Sequence, residues 1–464
     1  AVVRTDYESN SNTGLAGSFS GIELHRGTPD ALGRHASDTL AYIRRVQSFD
    51  IGAEGLQLTA DRRGVYWVTA AGGSGVSRGS GYEVAGSAAW TDLDYTTRAF
   101  VESATLSLAG DSAITARDRV SVVAFAGDGI YKGSLGFGTA WAWNQVDRHI
   151  QATVLDSSIT LSAGTLSVDA LLWDVEKDDG RTLLPSAYAV AATLGIGEQN
   201  ETAVELMGTI AVNRFNARTD DPAVEASIRG SMISHPDGGA DTTGVSVAAI
   251  DNTNLLALAG AVDGNAKTTI GVSSAVNELY DQSTALVEDS TLTVNQGDVS
   301  VEAVINPEMN AFAVGLAWSG SSGDILVGSG AQNTAVGLAA EASVTRETGY
   351  TSIEGARGIR VHGEISYTDI AAGAGEFGVQ PNAERGGAAG AAVALNDLSD
   401  NAVSASVSDA VLGAGDDIKI SARTSMAPGG VILGLAVGGD SGAQLAIGNS
   451  VVVNSVAPTT RATV

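Results

Sequence analysis

The chain has 464 residues, of which 44% are hydrophobic, 17% charged and 5% aromatic, with 58 glycines, eight prolines and no cysteine. This balance excludes a low-hydrophobicity disordered chain, a collagen triple helix and a disulfide scaffold. The formal net charge of −27 excludes nucleic acid as an electrostatic partner and disfavours an anionic membrane surface.

Residues 1–84 read as a degenerate N-terminal repeat region. They open on Ala1 to Asp6 without a basic stretch followed by an apolar one, so no export signal is read there. Alternating segments at Leu40 to Ile43 and Gly55 to Ala60 resemble an early copy of a pattern that becomes clear further on. Residues 85–464 read as about six repeat units of ~60 residues, the last one incomplete.

The clearest unit runs Gly271 to Asn277, Thr284 to Val294 and Gly297 to Ala303, and another runs Ala140 to Asn144, Gln151 to Thr160 and Gly164 to Ala170. Each piece alternates apolar with small or polar residues over four to eight positions and is bounded by Gly, Asn or Asp, the pattern of a half-buried strand. Helical spacing is hardly sustained anywhere. The positions taken as equivalent are Thr91, Asn144, Asn213, Asn277, Thr345, Asn396 and Asn454. Asn144, Asn213, Asn277, Asn396 and Asn454 are the candidate structural positions, each read as closing a strand where its amide satisfies turn backbone groups. Independent turn residues are preferred over a continuous amide ladder.

The fold class that follows is all-β, a repetitive parallel β-solenoid built from ~60-residue units with variable loops. Turns of roughly 20–30 residues, stacked ~4.8 Å apart, give about 15–23 turns and a rod on the order of 75–110 Å. Apolar runs such as Gly430 to Val437 are too short to span a bilayer as a helix, and so few aromatics argue against the girdles of an outer-membrane barrel. No membrane insertion is expected.

The succession carried by Ala275-Val276-Asn277, Thr284 to Leu292 and Gly297 to Ala303 resembles the repeats of very large bacterial surface adhesins of the filamentous-haemagglutinin-like and autotransporter-passenger kind. The resemblance covers roughly residues 85–464; long insertions at 171–207 and 214–243 depart from it. It implies an extracellular β-helical stalk at the bacterial surface, used for adhesion or spacing. Its partners would be further copies or a continuation of a longer chain, and a glycan or protein on a host or neighbouring cell.

Catalytic and metal motifs are sparse. Gly75 to Gly79 fits a nucleophile-elbow pattern and Gly373 to Gly378 a dinucleotide fingerprint, both without the βα context that gives them meaning, and both read as turns. Asp147-Arg148-His149 reads as a polar bend, and Trp141 with Trp143 as packing rather than a sugar platform. No cofactor is expected; calcium has candidate turns at Asp237 to Asp241 and Gly415 to Asp417. The chain is therefore read as non-enzymatic. A self-assembling filament or sheath subunit is the alternative, and a carbohydrate-active enzyme using paired carboxylates is a lesser one.

Overall fold

The computed structural model describes residues 2–9, 13–24, 37–76, 81–131, 134–172, 186–197, 203–216, 222–236, 241–319, 323–380, 386–441 and 445–464. Among them the chain is all-β, with no helix. Its strands form three sheets of 11, 12 and seven strands, here called sheets 1, 2 and 3. Every strand pairing in these sheets is parallel.

One unit shows how the sequence does this. Ser112–Tyr131 lies in sheet 1, Leu135–Leu155 in sheet 2 and Ser158–Leu161 in sheet 3, and Gly164–Leu172 then re-enters sheet 1 beside the strand that began the unit. Each unit therefore adds one level to all three sheets. This corrects the expected turn of 20–30 residues: the whole ~60-residue repeat is a single circuit. The reason is strand length, which reaches 24 residues at Ile418–Ser441. Such strands hold two successive alternating segments that read in sequence as separate turns. Eight levels of sheet 2, at ~4.8 Å each, stack to about 35 Å. The expected long rod is thus a slab, wider along its strands than it is tall. The N-terminal strands Thr13–Leu24, Thr39–Arg44 and Phe49–Ile51 take the same places as their counterparts further on, pairing with residues 82–93, 97–102 and 106–108.

The interior changes character along the strands. Where all three sheets meet, the core is branched aliphatic, with Ile114, Val168, Val247 and Val301 from sheet 1, Val154 and Val287 from sheet 2, and Ile159 and Leu292 from sheet 3. Further along, sheets 1 and 2 face each other alone over a core made almost wholly of alanine, including Ala126, Ala142, Ala211 and Ala275. Small residues let these two sheets close together. At Gly72 an added Cβ would lie 2.8 Å from the Gly86 carbonyl oxygen of the opposite sheet, so no side chain fits there. This two-sheet half is called the wing below.

The corner from sheet 2 to sheet 3 repeats a single device. Ser103, Asp156, Gly230 and Asp289 each take positive φ, between 47° and 55°. The following backbone amides of Ala104, Ser157 and Ser231 donate to the hydroxyls of Ser157, Ser231 and Ser290 one level on, at 3.0–3.1 Å. Sharp corners thus satisfy their own buried amides, which fixes the same register in successive units.

Candidate functional site

Two buried polar arrangements stand out. The first is a line of amides between sheets 1 and 2. Asn144, Asn213, Asn277, Asn333 and Asn396 are fully buried and point inward from sheet 2. Each donates one Nδ2 hydrogen to the Oδ1 of the asparagine one level on, at 2.9 Å, ending at Asn454. The second Nδ2 hydrogen goes across to a sheet 1 carbonyl, on Tyr188, Leu256, Asn310, Ala371 and Leu433 in turn, at 2.8–3.0 Å. These carbonyls are themselves in register on sheet 1. Each amide therefore ties adjacent levels together and ties the two sheets to each other.

The asparagines are not independent turn residues; all six lie within strands, where a parallel register places identical side chains above one another. Thr345 is not their equivalent. It pairs with Glu288, and Asn333 takes the place beside Asn277. With Asn333 in line the spacings become 69, 64, 56, 63 and 58 residues. The clue available in sequence was the Ala331-Gln332-Asn333 segment, which ends as Ala275-Val276-Asn277 does but with glutamine outward. At the opposite end the line stops at Thr91, the partner of Asn144, and neither the Thr91 hydroxyl nor Asn144 Oδ1 has a hydrogen-bond partner.

The second arrangement centres on Arg148, 1% exposed. Asp147-Arg148-His149 is no bend: it lies within the strand Leu135–Leu155. The guanidinium donates to Thr253 Oγ1 at 2.6 Å, lies 3.5 Å from Asp281 Oδ2 and sits over the Phe215 ring at 4.7 Å. Asn216, at φ 52°, accepts the Arg148 amide and donates to Asp281. Thr253 Oγ1 also contacts Asp251 Oδ1 at 2.6 Å and Asp281 Oδ2 at 2.8 Å. A hydroxyl has one proton, so it can donate to only one of these carboxylates, and the other contact needs a proton on the carboxyl. Burial, and then the neighbouring Asp281, push Asp251 well above the ordinary carboxylate range, which places that proton on Asp251. Alongside, Tyr95 donates to Asp118 at 2.7 Å, and burial raises both groups. Arg62 stacks on Tyr95 at 3.9 Å.

These side chains, apart from Arg62, are closed to any substrate, so the cluster's chemistry is that of a proton-sharing clamp where the wing joins the three-sheet core. A pH dependence follows. A carboxyl raised in the folded state is neutral there and ionised in the unfolded chain above about pH 4. Its contribution to stability is complete below that pH and is lost as pH rises. Thermal melts between pH 8 and pH 5 are expected to show the midpoint rising as the medium is acidified. Asp251→Asn should flatten this slope; an unchanged slope in that variant would remove Asp251 from the account. The exposed Asp289 and Asp298 act in the opposite sense, being lowered, and set the onset of acid loss below about pH 4.

The remaining motifs take ordinary places. Gly373 to Gly378 is extended within Ile359–Val379 rather than a turn. Trp141 and Trp143 both face outward from sheet 2, edge to face at 5.8 Å. Residues 77–79 of the elbow pattern and 237–240 of the first calcium candidate lie outside the described residues; Asp416 of the second donates its amide to the Arg357 carbonyl at a corner. Among the described residues no group of three or more His, Asp or Glu could hold a metal ion. Comparisons with family models, with curated proteins and with solved structures find no match to this chain.

Proposed function

We propose that this chain is a non-enzymatic β-solenoid segment of an extracellular bacterial surface protein, a stalk that spaces or presents an adhesive region. The observation that carries this reading is the in-register repetition of one circuit, with the same asparagine and the same corner serine recurring at successive levels. A protein built this way lengthens by whole levels without changing its cross-section, which is what a spacer requires. The outer-surface location and adhesive use rest on the resemblance of the repeats to large adhesins. A second reading is a self-assembling filament or sheath subunit, since levels that stack by parallel strand pairing within one chain can stack in the same way between chains.

Electron microscopy of the purified chain at low and high salt, with calcium and with chelator, tests both. Separate slabs about 35 Å thick along the stack are expected for a stalk segment. Filaments of constant width would select the assembling subunit, and compact particles without that thickness would overturn the solenoid.

A further inference from the structure

The outward face of sheet 2 along the wing is apolar and uncharged. Its rows that begin at Leu15, Gly17, Phe19 and Gly21 run through all eight levels without an acidic or basic residue. Leu15, Phe19, Val84, Phe137, Trp141 and Ile210 stand 41–64% exposed on it. A monomer ordinarily leaves no more than a few hundred Å² of contiguous apolar surface in water. The corresponding face of sheet 1 is not equivalent, because Arg4, Asp6 and Glu8 enter it in register with Ala71, Gly73 and Gly75. The chain's net charge of −27 sets copies apart in general, and the uncharged face of sheet 2 is where that repulsion is least.

The face is also shaped to meet its own copy. One row is a ridge, formed by Leu15, Val84, Phe137, Leu206, Ile270 and Leu326 through the first six levels. The row beside it is a furrow, with Gly17, Gly86, Thr139 and Gly208 in the first four levels and Gly328 in the sixth. The chain itself does not require these outward glycines. None of Gly17, Gly86, Gly208 and Gly328 has positive φ, and an added Cβ would find nothing closer than 3.5 Å. The inward Gly138 differs, since a Cβ there would lie 2.5 Å from Met207 Sδ. Glycine weakens a strand interior, so its place in the furrow is explained by a surface that comes close from outside.

We propose that two copies of this chain pair through the wing face of sheet 2, about a twofold axis that runs along the stack between ridge and furrow. That axis lays the ridge of each copy in the furrow of the other, level against the same level, with the two sheets aligned face to face. The Phe19 row then faces the rim row of Tyr82, Leu135 and Val204, and Asp324, beside Ile325 at that rim, faces the small Gly330. The overlap, four rows ~6.6 Å apart by eight levels ~4.8 Å apart, is roughly 700–1,000 Å². A specific dimer needs about 800 Å² on each copy. A twofold along the strands would reverse the levels and set ridge on ridge. Val272 interrupts the furrow at the fifth level and Ala389 the ridge at the seventh, so the closest contact falls on the first four levels. The charged row that contains Glu23, Asp92, Glu278 and Asp397 lies outside the overlap and stays in water. The inference goes beyond the stalk reading: it uses the side of the slab, not the direction in which levels stack, so paired copies run parallel however many levels each has.

The test is sedimentation velocity of the full chain at low and high salt, with circular dichroism on every sample. A dimer is expected at micromolar concentration, and it should be at least as stable at high salt, which screens the repulsion between copies. Leu206→Lys on the ridge and Gly208→Leu in the furrow should each raise the dissociation constant about tenfold or more. Gly208→Leu should keep its β signal, because the nearest atom to a Cβ there is 4.0 Å away. Leu258→Lys, on the outward face of sheet 1, should dimerise like the parent. The chain has no cysteine, so Val84→Cys supplies a single thiol. A short bismaleimide should join it into a covalent dimer, since the axis keeps both thiols at one level; reversed levels would part them by about 24 Å. A parent that stays monomeric at both salts overturns the proposal, and if that monomer binds phosphatidylcholine vesicles the face belongs to lipid. So does a dimer that Leu258→Lys disperses, or one that survives both sheet 2 variants. A Val84→Cys dimer that the reagent leaves unjoined overturns the axis along the stack. If Leu206→Lys loses its β signal, Gly208→Leu decides.

Discussion

Replacing Arg148 by methionine is expected to lower the unfolding free energy by about 3–5 kcal/mol, the usual cost of leaving a buried charge without its partner. The groups abandoned are specific. Asp281 loses the cation 3.5 Å from its Oδ2, and Thr253 loses the donor that fills one of its lone pairs. Asp251 is already held neutral by burial and by Asp281, so it cannot absorb the change by giving up further charge. Adding Asp281→Asn to Arg148→Met should restore part of the loss, because a neutral amide needs no counter-ion there. The two sites should therefore couple by more than ~1 kcal/mol in a double-mutant cycle. Arg148→Lys keeps the charge but gives up the planar stacking on Phe215 at 4.7 Å, and should fall between parent and methionine variant. Urea unfolding of five chains, the parent, Arg148→Met, Asp281→Asn, their double variant and Arg148→Lys, measures all of this. A single-variant cost below ~1 kcal/mol would mean that the clamp does not hold the wing to the core.

How much of this could be read from sequence depends on which contact is asked about. Alternation at Gly164 to Ala170 and Gly297 to Ala303 announced strands, and both are strands of sheet 1 with valines inward. The equal step from Asn144 to Asp156 and from Asn277 to Asp289 fixed two positions correctly, one a buried amide and the other a corner at φ 49° or 47°. What failed was the length of a circuit. Period-two alternation says which face a residue takes but carries no mark where a long strand crosses from the aliphatic core into the alanine core, so one strand was read as two. The Arg148 clamp was hidden for another reason. Its members Arg148, Asp251, Thr253 and Asp281 come from different strands and meet only because the levels stack. No local spacing records that. Asn333 was missed because Gly330 stands where neighbouring units have Ile210 and Ser274, and Gln332 where they have Val212 and Val276.

The asparagine line makes the sharpest claim about how the levels hold together. Asn277→Ala is expected to cost about 2–4 kcal/mol, since it orphans an Nδ2 hydrogen of Asn213 and Oδ1 of Asn333, and removes a donor from the Asn310 carbonyl. Asn277→Asp should cost at least as much, because a carboxylate would bring oxygen against two oxygens at 2.8–2.9 Å in a dry interior. Position along the line should matter. Asn144 receives no amide from the level before it, so Asn144→Ala breaks one bond fewer and should cost less than the central change. Asn454→Ala, on the exposed last level, should cost no more than ~0.5 kcal/mol, since water replaces its acceptor role toward Asn396. Urea midpoints at constant m-value would rank the four variants. Equal costs at the centre and at the open end would show that each amide acts alone. A central cost well above the end cost would show that the line is one cooperative element, its strength set by the number of levels it joins.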